Sequence, residues 1–80
     1  MNYRWQSEII RHYLKEAGLT QGDLAIRLGY SYRQGICAWS QKGIPLDRLR
    51  EVQRMLDIPK DKLIKALLDD YEEMLKEKLE

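Results

Sequence analysis

The sequence predicts an all-α fold of five helices, and two observations carry that expectation. Apolar residues recur at three- and four-residue steps along most of the chain, and no stretch sustains the two-residue alternation of a strand. Both prolines and most of the glycines fall at the ends of those periodic segments, where they punctuate helices.

The first helix is expected from about Tyr3 to Ala17, with Ile9, Ile10, Tyr13, Leu14 and Ala17 on one apolar face. Gly18 follows the last periodic residue, where a left-handed cap needs no Cβ. Thr20 then suits an N-cap, and Asp23, three residues on, stands near the exposed amides of the next first turn. The second helix is expected from Gln21 to Leu28, with Leu24, Ala25 and Leu28 inward and Gly29 as its stop. Ser31 is the expected cap of a third helix that runs to about Gln41 and buries Ile36 and Trp39. Gly43 ends it, and Pro45 opens a fourth helix to about Leu56 that buries Leu49, Val52 and Leu56. Pro59 opens a fifth that continues toward Glu80.

Eighty residues make one domain, expected as a body over residues 1–68 and a C-terminal helical extension over 69–80. A core of this size supplies only about 3–5 kcal/mol, so oligomerisation would help. Cys37 is the one cysteine and His12 the one histidine, which excludes an internal disulfide and a Cys/His zinc site within one chain. No metal or other cofactor and no small-molecule ligand is expected. The longest apolar run, Ile36 to Trp39, is four residues, far short of a membrane span or a signal-peptide core. A cytoplasmic protein is the simplest expectation. The net charge of +1 is uneven. Residues 1–65 hold 12 Lys/Arg and 7 Asp/Glu, a net of +5, and residues 66–80 hold 2 Lys and 6 Asp/Glu, a net of −4. A mildly basic body suits phosphate contact, and the acidic end suits facing away from it.

The segment Gln21 to Trp39 is the informative one. Two helices that cross steeply through a tight turn need a small residue in the first, which Ala25 supplies. The turn needs a residue tolerant of positive φ, and Gly29 follows four residues later. Leu24, Leu28, Ile36 and Trp39 would fill the wedge. The stretch "LTQGDLAIRLGYSYRQGICAW" resembles the Cro/CI-type (lambda-repressor-like) helix-turn-helix, in which Leu-Thr-Gln, Ala and Leu-Gly recur at this spacing. Its continuation "WSQKGIPLDRLREVQRML" resembles Cro-like and YdaS-like phage and prophage regulators. The resemblance covers roughly residues 9–68. One departure stands out: Gly35 occupies the slot of the family's buried aliphatic and Ile36 follows it, which reads as one extra residue in the turn around Tyr30 and Ser31.

The resemblance implies double-stranded DNA as the partner. With Ile36 and Trp39 inward, the opposite side of the recognition helix presents Tyr32, Arg33, Gln34, Cys37, Ala38 and Gln41. Base contacts are expected from Tyr32, Arg33, Gln34, Cys37 and Gln41. Arg33 suits a bidentate pair with guanine and Gln34 with adenine, each worth about 1–3 kcal/mol of discrimination. Gln21 at the start of the second helix, with Lys42 and Arg48, is expected at the DNA backbone, and Arg4 is a further candidate.

The remaining residues call for no chemistry. Asp69, Asp70, Glu72 and Glu73 are expected as a solvated helix face, with Glu72 four before Lys76. No calcium-loop pattern, phosphate-binding loop or Ser/His/Asp set is present, so an enzyme is not expected. In the fifth helix Ile64, Leu67 or Leu68, Tyr71, Met74 or Leu75 recur at helical steps. Tyr71, Met74 and Leu75 are the expected interface of a homodimer, parallel or antiparallel. Two other functions fit the same features: an antitoxin-like DNA-binding protein whose last helix holds a partner, and a helical protein-interaction module with no DNA role.

Overall fold

A computed structural model describes residues 3–30, 36 and 38–79 of the chain. The described residues form an all-α protein of five helices and no strand: α1 (Arg4–Ala17), α2 (Gln21–Arg27), α3 (Trp39–Lys42), α4 (Leu49–Met55) and α5 (Lys60–Leu79). No helix among these residues is long and apolar enough to cross a membrane.

Three helices end in the same way. After α1, Gly18 N–H bonds to Lys15 O and Leu19 N–H to Leu14 O; after α2, Gly29 bonds to Ile26 O and Tyr30 to Ala25 O. After α4, Asp57 bonds to Arg54 O and Ile58 to Gln53 O. Each pair satisfies carbonyls that a helix end leaves open, and each turns the chain through one left-handed residue. That residue is Gly18 (φ 70°), Gly29 (φ 84°) or, exceptionally for a residue with a Cβ, Asp57 (φ 52°). The chain thereby doubles back after each helix and delivers the next apolar residue to the core. Ile58, directly after Asp57, is fully buried.

The core gathers Ile10 and Leu14 of α1, Leu24 and Ala25 of α2 with Leu28 at its C-cap, and Ile36, Trp39, Ile44, Val52, Leu56, Ile58 and Leu63. Burial of each large apolar side chain contributes about 1.5–3 kcal/mol. Three details differ from the expectation. Ala17 is exposed, at the last position of α1 before the left-handed Gly18. Ile36 is helical but Ala38 is in a turn before the short α3. Pro45 opens a turn, closed by Arg48 N–H on Pro45 O at 2.9 Å, and α4 begins only at Leu49.

The longest helix, α5, lies against α1. It buries Leu63, Ala66 and Asp70, beside an exposed apolar stripe at Ile64, Leu68 and Tyr71. It runs without a break across the position expected to separate body from extension. The Asp70 carboxylate accepts two amides of the first turn of α1, Trp5 N–H on Oδ1 and Gln6 N–H on Oδ2, both at 2.9 Å. Tyr3, at the N-cap, offers no capping side chain of its own. Asp70 therefore closes α1 from across the molecule, and its negative charge sits at the positive end of the helix dipole. Glu73, one turn on, accepts the Trp5 indole N–H at 2.9 Å.

Candidate functional site

The informative segment begins with a capping box. Thr20 Oγ1 accepts Asp23 N–H at 3.1 Å, and Asp23 Oδ2 accepts Thr20 N–H at 2.9 Å. These two residues fix where α2 starts. The Thr20 backbone amide, then the Thr20 hydroxyl, and last the charge of Arg27 hold the Asp23 carboxyl below its usual 3.8, against a small opposing effect of burial. The sequence places Gln21 at the first helical position behind this cap, where it is half-buried.

Ala25 and Leu24 face inward with almost no exposure, and Leu28, Ile36 and Trp39 complete the same apolar wedge. The small side chain of Ala25 leaves room there for a second element. Gly29 stops α2 in the left-handed conformation, and Tyr30 then lays its ring edge-on to Trp39, with centroids 6.3 Å apart. Arg48 caps the stack, its guanidinium 5.2 Å from the centre of the Tyr30 ring. The same guanidinium pairs with Glu51 at 3.4 Å. Arg48, expected at a phosphate, shares its charge between a ring and a carboxylate.

The short α3 is held from the opposite side. Tyr3 N–H bonds to Ser40 O at 2.7 Å, and the buried Gln6 side chain accepts Ile44 N–H through Oε1 at 2.9 Å. Gly43 has φ 80°, and any Cβ there would come within 3.0 Å of the Tyr3 ring. A glycine is thus required both by its backbone and by the close approach of α1. Gln41 and Lys42, the last residues of α3, are exposed.

Two openings flank this arrangement. A cleft of about 200 Å³ has Ile10, Ile36 and Trp39 as its floor and Ser7, Arg11, Gln21 and Ser40 around it. It brings the start of α2 beside α3 and adds Arg11, which sequence reasoning missed. Nothing in the periodicity of α1 distinguishes Arg11 from the other charges on its solvent side. Gln41 shares a second, more open groove with Arg11, Ser40 and Arg4. Three carboxylates, Glu8, Glu73 and Glu77, line that groove too, and Arg4 pairs with Glu8 at 3.5 Å and lies over the Trp5 ring at 4.9 Å. Arg4 is therefore poorly placed for an anion.

Of the expected base contacts, Gln41 is among the described residues, while Tyr32, Arg33, Gln34 and Cys37 lie outside them. Gln21, Lys42 and Arg48 are described, and the cleft unites only the first of these with α3. Tyr71, Met74 and Leu75 lie on α5: Tyr71 and Leu75 are exposed and Met74 is half-buried. Among the described residues no group of three or more His, Cys, Asp or Glu comes together as a metal site. Compared with protein-family models, with curated proteins and with solved structures, the chain matches none.

Proposed function

We propose that the chain is a sequence-specific DNA-binding regulator of the helix-turn-helix kind, built like the Cro/CI-type domains it resembles and acting as a small repressor on a two-fold operator. The observation that carries the reading is the wedge: Ala25 and Leu24 of α2, the left-handed Gly29, and Ile36 and Trp39 buried against them. A short capped helix, a small residue where a second helix crosses and a glycine turn are what such a motif requires. The cleft supports it further. Gln21, Arg11 and Ser40 ring one opening at the start of α2, and a phosphate there would meet hydrogen-bond donors and a cation. The protein then acts by occupying DNA rather than by catalysis. Arg33 and Gln34 read base edges, and Arg11, Gln21 and Lys42 hold the backbone. Two copies on one operator place their recognition helices about 34 Å apart, one turn of the duplex.

The test is selection from a random duplex pool, followed by affinity measured at several salt concentrations. A two-fold sequence should emerge, with affinity that falls steeply as salt rises. Arg33→Ala should cost about 1–3 kcal/mol and relax one base position in each half-site. Arg11→Ala should weaken binding to all sequences alike and reduce the salt slope by about one. Binding that is weak and indifferent to sequence would discard the operator reading and leave a protein-interaction module.

A further inference from the structure

A stripe of large apolar side chains along α5 lies outside the core, which takes Leu63 and Ala66 instead. Ile64 is 54% exposed, Leu68 63%, Tyr71 50% and Leu75 60%. Their steps of four, three and four residues make a continuous seam along the helix, the spacing at which two helices interlock. An isolated helix with such a seam would fray, but this one is anchored: Asp70 and Glu73 hold it to α1, and the Tyr71 ring is braced edge-on by Tyr3 at 6.1 Å. The seam is thus presented on a fixed rod of 20 residues, about 30 Å long.

The charges beside the seam say what covers it. The first half of α5, residues 60–69, holds Lys60, Lys62 and Lys65 against Asp61 and Asp69, a net of +1, and the second, residues 70–79, holds Asp70, Glu72, Glu73 and Glu77 against Lys76 and Lys78, a net of −2. We propose that α5 pairs with α5 of a second copy running antiparallel, with Ile64 of each chain against Leu75 of the other and Leu68 against Tyr71. In that register Lys65 flanks the seam opposite Glu72 of the second copy, and Asp61 closes its end against Lys78. The two-fold axis repeats every one of these contacts. A parallel pair of the same helices sets Lys60 beside Lys65 and loses the complementarity. Lys65 already bonds to Asp69 at 3.0 Å and Glu72 to Lys76 at 3.4 Å. An ammonium has three N–H donors and a carboxylate several lone pairs, so each joins a partner across the seam while keeping its own.

A cleft of about 410 Å³ between α4 and α5 fits the same arrangement. Leu49, Ile64 and Leu67 supply its apolar surface and Arg50, Arg54 and Lys60 its charge. It opens at the end of α5 that the antiparallel partner reaches with its last turn, carrying Glu77 and Leu79. Glu77 meets the basic rim, and the exposed Leu79 meets an apolar floor.

This inference does not rest on DNA binding, and its test uses the whole chain without DNA. Sedimentation equilibrium should give a dimer, and Leu68→Glu should give a monomer of unchanged helix content by circular dichroism. A wild-type monomer at high micromolar concentration overturns the pairing, as does a Leu68→Glu protein that stays dimeric. Register is read by cross-linking with Cys37 replaced by Ser. Ile64→Cys and Leu75→Cys chains should link to each other through a short thiol-reactive linker when mixed, and neither to itself. Self-linking of either means a parallel pair and overturns the proposal; so does the absence of any link. A monomer that still selects a DNA sequence would leave the operator reading intact, and a wild-type dimer that selects none would remove only that reading.

Discussion

Asp70 carries more of this structure than its neighbours in the acidic run suggest. It is 1% exposed and takes two amides of α1, whereas Asp69 beside it makes one surface pair with Lys65. Removal of a buried, charged acceptor leaves two amides unsatisfied, while loss of a surface pair costs little. Asp70→Ala should therefore lower stability by about 2–3 kcal/mol, and Asp69→Ala by no more than about 0.5 kcal/mol. Urea denaturation of the two variants at neutral pH checks the contrast; equal losses would mean that the carboxylate does not cap α1. The sequence alone pointed the other way, to a uniform solvated face. A cap within three or four residues, such as Thr20 with Asp23, leaves a local signature. Asp70 acts 64 and 65 residues from its partners, and no spacing rule reaches that far. Gln6, buried by its bond to Ile44, was unreadable for the same reason.

At the scale of the element, the stop of α1 and the start and stop of α2 were legible because each is set by residues within one turn of it. Gly18, Thr20 and Gly29 are local rules obeyed locally. The inward face of α5 was harder to read: the wide apolar stripe through Ile64, Leu68 and Tyr71 is stronger than the narrow seam Leu63, Ala66 and Asp70, yet the core takes the narrow one. Ala66 permits close packing on α1, and Asp70 is drawn in by the amides it caps. The segment from Gln21 to Trp39 was legible as far as its wedge, Ala25, Gly29, Ile36 and Trp39. The capping box also gives α2 a pH dependence with a definite sign. Hydrogen bonds from the Thr20 amide and hydroxyl favour the charged Asp23 and lower its folded pKa below 3.8. The unfolded state then binds the proton more readily, so the stabilisation is complete above the unfolded value and is lost as pH falls through the folded one. The stability difference between wild type and Asp23→Asn should be constant from neutral pH to about 5 and should shrink below about 4. Thermal melts across that range measure it, and a difference that grows with acid would contradict the assignment.

At the scale of the molecule, α1 and α5 form the frame on which the other helices hang. Tyr3 and Gln6 bind the segment around Ser40 and Ile44, while Trp5 and Gln6 are bound by Glu73 and Asp70. First-turn amides of a helix ordinarily exchange with solvent quickly, since they lack partners within it. The amide protons of Trp5 and Gln6 should instead be protected as strongly as those of the core residues of α5, and native-state hydrogen exchange followed by NMR reads this directly. Fast exchange at both sites beside a slow α1 interior would show that the end opens alone. The segment that ends the wedge is thus held through the first turn of α1, which Asp70 and Glu73 of α5 hold in turn.

The cap from Asp70 also bears on how the protein is made. Translation delivers α1 first and Asp70 only after more than sixty further codons. Until that carboxylate clears the ribosome, the leading helix has no acceptor for its first amides, and Tyr3 provides none. Of the five helices the first synthesised is therefore finished last, and the wedge that it braces waits on the chain being lengthened through α5. A nascent chain stalled short of residue 70 would hold its helices loosely, open to proteases that the completed protein turns away.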